Sequence, residues 1–204
     1  MPPFLITLLV VLAAYLLGSV PFALVASRLF GLADPRSYGS GNPGATNVLR
    51  SGHKGAAVLT LIGDAAKGWL AVFLAGRYAA EYGLGGYTVG LVAMAVFFGH
   101  LYPVFLRFKG GKGVATAAGV LLAINPWLGL ATLATWLAIA FALRYSSLAA
   151  LVAAAAAPLY AILIWGGDGR VLVVGIIAMA LIGKHWQNLQ RLMAGSEPKI
   201  GRRK

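Results

Sequence analysis

From Phe4 to Ser27 the sequence runs without a single charged side chain. An α-helix rises about 1.5 Å per residue, so about 20 apolar residues span the roughly 30 Å hydrocarbon core of a bilayer. Largely apolar runs of comparable character follow at Gly55–Gly76, Gly86–Leu106, Val114–Ile124, Trp127–Leu143, Leu148–Trp165 and Val171–Gly183. The pattern predicts an all-α polytopic membrane protein with about seven transmembrane helices, forming one domain over residues 1–204. The first run lacks the basic flank of a secretory signal and is too long for one, so it reads as a retained helix ending at Arg28. Asn125-Pro126 and Gly166–Arg170 mark turns between spans, and Arg144–Ser147 interrupts the apolar run more weakly.

Composition agrees. Hydrophobic residues make up 60% of the chain and charged residues 11%, against about 25% charged in soluble domains. The net charge of +12 comes from 17 Lys and Arg against 5 Asp and Glu. In a soluble protein that balance points to nucleic acid. Here the cations gather in alternate loops: Arg28, Arg36, Arg50 and Lys54; then Arg107, Lys109 and Lys112; then Arg144 and the tail. The opposite loops hold little beyond Arg77 and Arg170. Cytoplasmic loops collect Lys and Arg, so the N-terminus is expected outside and the C-terminus in the cytoplasm. No nucleic-acid partner is implied; the partner is the lipid bilayer, whose anionic headgroups attract such loops. Cysteine is absent, which excludes disulfides, thiolate nucleophiles and cysteine metal sites.

Three polar clusters lie on the basic side. The first, "GSGNPGATNVLR" (Gly39–Arg50), places Ser40, Asn42, Thr46 and Asn47 around Arg50. A turn with a helix N-cap explains one or two such residues, not all of them. Thr46 and Arg50 would share a helix face. The second, "GHLYPVFLRFKGGKGVAT" (Gly99–Thr116), combines Lys109 and Lys112 with Gly110, Gly111 and Gly113 ahead of an apolar helix. Glycines let backbone N–H groups converge on an anion, and a helix N-terminus adds partial positive charge. The cluster fails the Walker pattern, since Leu106 stands where its first glycine belongs and Gly113 where Ser or Thr would bind magnesium. The run Val114–Ile124 gives roughly 17 Å of helix, too short to cross. The glycine segment is therefore expected at the floor of a cavity, since irregular backbone at membrane depth survives only when buried or lining a wet cavity.

The third cluster, "KHWQNLQRLMAGSE" (Lys184–Glu197), puts Lys184, Asn188 and Arg191 on one helical face with His185 beside them. A surface amphipathic helix accounts for the two cations, less well for His185 and Asn188. The tail "KIGRRK" reads as solvated charge. His53, His100 and His185 are the only histidines, and their spacing carries no metal signature, so no metal is expected. Asp64 and Lys67, at i and i+3 inside the second span, read as a mutual ion pair, with Asp64 available to orient a donor of the first cluster. The many Gly and Ala residues in the spans read as close helix packing.

Taken together, "SGNPGATNVLR", "GHLYPVFLRFKGGKGVAT" and "KHWQNLQRLMAGSE" resemble the three cytoplasmic motifs of the bacterial acyl-phosphate:glycerol-3-phosphate acyltransferases. They occur in the same order, with matching apolar segments between them, over nearly the whole chain. Departures are small: Pro43 occupies a variable position, and Leu189 stands where isoleucine is common. A family serine near the fifth–sixth span junction corresponds to Ser146 or Ser147, and Ser147 is taken as the candidate.

The resemblance implies a seven-span enzyme of the bacterial inner membrane, active on the cytoplasmic side without a cofactor. It implies transfer of a fatty acyl group from acyl phosphate to the sn-1 hydroxyl of glycerol 3-phosphate, yielding lysophosphatidic acid and phosphate. The candidate catalytic residues are Lys112, His185 and Asn188. The candidate substrate-binding residues are Ser40, Gly41, Asn42, Thr46, Asn47, Arg50, His100, Lys109, Gly110, Gly111, Gly113, Ser147 and Lys184. Among them, Lys112 with Gly110, Gly111 and Gly113 is assigned to the acyl phosphate. Ser40, Thr46 and Arg50 are assigned to glycerol 3-phosphate, and His185 and Asn188 to closing the site. The main rival is a transporter of a phosphorylated metabolite. It is disfavoured because the sequence shows no internal repeat and its polar clusters share one face.

Overall fold

The computed structural model describes residues 2–201, so Arg202, Arg203 and Lys204 of the tail lie outside the described residues. The described residues contain helices and no strand. The chain forms two compact units, Met1–Ile124 and Asn125–Lys204.

The first unit contains α1 (Pro3–Gly18), α2 (Phe22–Leu29), the single turn α3 (Ala45–Val48), α4 (Lys54–Tyr78), α5 (Tyr87–Leu101) and α6 (Val114–Ile124). The expected first span is broken: α1 and α2 meet at a 43° bend. Pro21 lacks an N–H and disfavours helix at the residue before it, which stops α1 at this point. Ser19 Oγ donates back to Tyr15 O at 2.9 Å. The carbonyl of Val20, left without a helical partner, accepts instead from Lys67 Nζ at 2.8 Å.

Small residues let these helices close on one another. A Cβ on Gly119 of α6 would strike the Ala65 carbonyl of α4, and one on Gly68 of α4 would strike the Thr116 carbonyl of α6. Gly18 and Gly99 play the same part between α1 and α5, against Val96 and Tyr15. A buried cluster of Ala23, Ala26, Val48, Ala56 and Ala57 seats α3 against α2 and α4, which anchors the first polar motif.

The second unit contains α7 (Pro126–Leu143), α8 (Ser146–Trp165), α9 (Gly169–Lys184) and α10 (Trp186–Met193). Asn125 caps α7, its Oδ1 accepting from Trp127 N at 2.9 Å and Leu128 N at 3.1 Å, with Pro126 at the first helical position. Arg144 takes a left-handed conformation, φ 61°, and ends the helix. Tyr160 OH and Thr135 Oγ1 share a hydrogen bond of 2.8 Å between α7 and α8. Near His185 the chain bends by 58° from α9 into α10.

Among the described residues four helices are long and apolar enough to cross a bilayer, and up to six spans result if each bent pair counts as one. The sequence predicts about seven. The difference is α6, whose 11 residues the sequence already shows to be short.

Candidate active site

The first motif folds as a loop held from within. Asn47 is 2% exposed. Its Nδ2 donates to Pro35 O at 2.6 Å and Tyr38 O at 3.2 Å, while its Oδ1 accepts from Ser40 N at 2.9 Å. A residue expected to bind substrate thus spends its polar atoms on the loop. Gly39 and Gly41 are left-handed, φ 60° and 66°. A Cβ on Gly39 would collide with Asn47 Oδ1 and approach the Arg50 side chain, so Arg50 folds back over the loop. Ser40, Gly41, Thr46 and Arg50 are exposed and Asn42 is half-buried. The shared helix face foreseen for Thr46 and Arg50 is not formed as such, because α3 passes into a 3-10 turn at Leu49–Ser51. His53 is the N-cap of α4: its Nδ1 accepts from Ala56 N at 3.1 Å.

The second motif doubles back over the end of α5. Arg107 and Phe108 are both left-handed, φ 51° and 61°, a conformation costly for residues with a Cβ. Phe108 N donates to Pro103 O at 2.9 Å, Gly110 N to Leu101 O at 3.3 Å and Gly111 N to His100 O at 3.2 Å. The N–H groups of Gly110 and Gly111 therefore hold the loop onto α5. The N-terminal amides of α6 before Ala117 precede its first backbone bond, from Ala117 N to Gly113 O at 2.7 Å. Gly113, φ 84°, needs both its conformation and its missing side chain, since a Cβ there would press into Phe97 and Leu101. Lys109 is exposed and Lys112 half-buried.

Beneath this loop lies a buried constellation. Lys67 Nζ is 2.8 Å from Asp64 Oδ1 and 3.0 Å from His100 Nδ1. His100 Nδ1 is 3.4 Å from the same carboxylate oxygen. The ion pair expected from the sequence is present. Asp64 is turned to His100 of the second motif, however, not to a donor of the first. A cavity with room for about one water is lined by Ser19, Pro43, Asp64, Lys67, His100, Gly110 and Gly111, so both motifs meet there. On the other side of Leu106 a groove of about 470 Å³ is lined by Arg28, Arg36, Arg107 and Lys109 with Leu24 and Phe105. Arg36 is paired to Asp34 at 2.6 Å, and its guanidinium holds the Asp34 carboxyl below its ordinary range.

In the second unit, one carboxylate gathers the third motif. Glu197 Oε1 accepts from Ser147 Oγ and from Asn188 Nδ2, each at 2.6 Å. Glu197 Oε2 accepts from Arg191 Nε at 2.7 Å. Burial pushes this carboxyl up, but the hydrogen bonds from Ser147, Asn188 and Arg191 outweigh it and hold the group below its ordinary range. His185 is 3% exposed, with Nδ1 2.9 Å from Leu181 O. A carbonyl only accepts, so Nδ1 carries a proton. The bend separates Lys184, at the end of α9, from Asn188 and Arg191 on α10, so the single face foreseen for them is broken. The tail is not simply solvated: Ile200 N donates to Arg144 O at 2.7 Å, Arg144 donates to Ile200 O at 2.9 Å, and Lys199 lies over the Tyr145 ring. Sequence reasoning assigned Glu197 no role. The available signal was its rarity, as one of only 5 acidic residues and the one inside a basic motif.

The profile of the glycerol-3-phosphate acyltransferase family matches residues 8–195. The chain belongs to this family. It is 70% identical over 192 residues to the glycerol-3-phosphate acyltransferase of Dechloromonas aromatica (strain RCB), covering 94% of this chain and 95% of that protein. It is 63% identical over 197 residues to that of Cupriavidus necator, covering 97% and 98%. The crystal structure of PlsY, an integral membrane glycerol 3-phosphate acyltransferase, in its glycerol 3-phosphate form, superposes with a TM-score of 0.88 at 38% identity over 96% of each chain. Its lysophosphatidic acid form gives 0.86 at 37% identity, covering 96% of this chain and 95% of that one. The chain is thus an acyltransferase of glycerol 3-phosphate and a membrane protein, and the transporter alternative falls away.

Proposed function

We propose that the enzyme takes its acyl group from a fatty acyl phosphate and delivers it to the sn-1 hydroxyl of glycerol 3-phosphate. The hydroxyl oxygen bonds to the acyl carbon, the bond from that carbon to the phosphate oxygen breaks, and lysophosphatidic acid and inorganic phosphate leave. The observation that carries this reading is the Lys109–Gly113 loop, which is folded tightly onto α5 and delivers Lys112 to the start of α6. Acyl phosphate is a mixed anhydride with a good leaving group and needs no covalent enzyme intermediate. The chain has no cysteine to form one. What remains is positioning and charge stabilisation.

Lys112, with Gly113 and the first amides of α6, holds the donor's phosphate, and Gly110 and Gly111 shape the loop around it. Ser40, Thr46, Arg50 and Lys109 bind glycerol 3-phosphate, with Gly41 and Asn42 shaping that loop and Asn47 bracing it. Ser147, Lys184, His185 and Asn188 orient the reacting groups. The attacking hydroxyl gives its proton to the phosphate of the donor. The enzyme lies in the bacterial inner membrane with its N-terminus outside and its C-terminus and active site in the cytoplasm, which the distribution of Lys and Arg supports.

The test uses purified protein, glycerol 3-phosphate and palmitoyl phosphate, with palmitoyl-CoA as parallel donor. Turnover with acyl phosphate only is expected. Lys112→Ala is expected to lose at least about tenfold, the order of one charge-assisted hydrogen bond. Folded protein that turns over neither donor overturns the proposal. His185→Ala is expected to lower activity without removing a limb of the pH profile near neutrality. Loss of that limb would instead make Nε2 of His185 the base.

A further inference from the structure

We infer that the buried Asp64–Lys67 pair exists to fix the tautomer of His100, making it a hydrogen-bond donor under the glycine loop and a positioning residue for the anion held there. The side chains of Lys67 and Asp64 are 1% and 4% exposed and His100 is 8% exposed. Burial of an uncompensated charge is costly, and each of these two groups is placed to compensate the other. The contact at 2.8 Å has ion-pair distance, yet Asp64 Oδ1 has no aligned hydrogen bond. The attraction is therefore mainly coulombic, and two N–H groups of Lys67 serve other partners. One goes to Val20 O, the carbonyl freed by the break between α1 and α2. Another goes to His100 Nδ1 at 3.0 Å.

An ammonium donates and cannot accept. Nδ1 also lies 3.4 Å from Asp64 Oδ1, but the ammonium is the nearer neighbour at 3.0 Å, so Nδ1 is assigned as the acceptor and the proton of a neutral ring then sits on Nε2. That edge of the ring faces Gly111: a Cβ there would run into Nε2, Cε1 and Cδ2 of His100. Gly111 is absent from the positive-φ residues, so its backbone conformation does not demand glycine. The contact with His100 does. Any larger residue would cover the donor edge or push the loop off it. The same ring's backbone carbonyl takes the N–H of Gly111, so His100 fixes the loop with its main chain and points an N–H under it with its side chain. His185, by contrast, carries a proton on Nδ1, which faces Leu181 O.

The tautomer is read directly by ring ¹⁵N and ¹³C shifts of histidine-labelled protein in detergent, with His100 assigned by its loss in His100→Gln. Nε2–H is expected in wild type, without substrate. Nδ1–H or a doubly protonated ring overturns the inference. The double variant Asp64→Asn/Lys67→Met removes both charges at nearly constant volume. It should release His100 into a mixture of tautomers, and an unchanged spectrum removes the pair's role.

The kinetic half rests on the proposal that this loop holds a substrate phosphate. An amide at Gln reaches the Nε2 position and one at Asn only the Nδ1 position. His100→Asn should raise the KM for one phosphate substrate by about tenfold, the order of one hydrogen bond to an anion, and His100→Gln by about threefold or less. Equal effects in the two variants overturn the positioning role. Absence of acyl-phosphate turnover in wild type would refute the function proposed above while leaving the spectroscopic result decisive.

Discussion

Replacing Glu197 should loosen the whole third motif, and its contacts set the size. The carboxylate is 6% exposed and accepts from Ser147, Asn188 and Arg191 at 2.6, 2.6 and 2.7 Å. A hydrogen bond to a charged group contributes about 1.5–3 kcal/mol net. Arg191 is 38% exposed and can turn to water, so its share belongs at or below the low end of that range. Glu197→Ala removes all three and leaves Ser147 and Asn188 without their acceptor, for a loss of about 3–5 kcal/mol. Glu197→Gln has one acceptor oxygen. Facing Ser147 and Asn188 it loses only the Arg191 bond, about 1–2 kcal/mol.

The assay is thermal unfolding in detergent beside turnover. For a chain of this length about 1 kcal/mol moves the midpoint by about 2–4 °C, so alanine and glutamine variants separate clearly. The pH response follows with a definite sign. The Glu197 carboxyl is held below its ordinary value of 4.5, so its contribution is complete above that value and is lost only as pH falls through the lower native one. Stability between pH 7 and 5 should therefore owe no slope to Glu197, and Glu197→Gln should blunt the loss seen in stronger acid. An alanine variant as stable as wild type to within about 0.5 kcal/mol, a surface-like effect, would refute the reasoning.

Two further substitutions test the frame around the site. Gly119→Ala should cost about 1–3 kcal/mol by overpacking, because its Cβ meets the Ala65 carbonyl of α4, whereas Gly76→Ala, with open space around it, should be neutral or stabilising in the same melt. Asn47→Ala removes contacts to Pro35, Tyr38 and Ser40; it should raise protease sensitivity of the first-motif loop and the KM for glycerol 3-phosphate, and an unchanged digestion pattern would count against the clamp.

Much of this architecture was legible in residue order because bilayer thickness is a severe filter. The helix Val114–Ile124 begins and ends where its apolar run does, and Asn125-Pro126 starts α7 as its capping chemistry requires. The Asp64–Lys67 pair was legible from i,i+3 spacing. Its third member was not, because His100 lies 33 residues beyond Lys67 and only the packing of α4 on α5 brings them together. The bend near His185 carries no proline or glycine pair to announce it, so Lys184, Asn188 and Arg191 looked like one face. The roles of Gly110 and Gly111 were also hidden. Sequence shows that glycine is present but not whether its N–H is already engaged, and here both amides are.

The brevity of α6 has a consequence for how the enzyme meets different membranes. None of its 11 residues is exposed. A helix with no exposed residue is less subject to hydrophobic matching, the requirement that makes exposed spans tilt or stretch with bilayer thickness. Matching falls on helices such as α4, with 25 residues and an exposed row of Val58, Leu61, Ile62, Leu70 and Phe73. A change in membrane thickness would therefore act on those helices first. The glycine loop, which leads into a helix that lipid gauges only weakly, would keep its place.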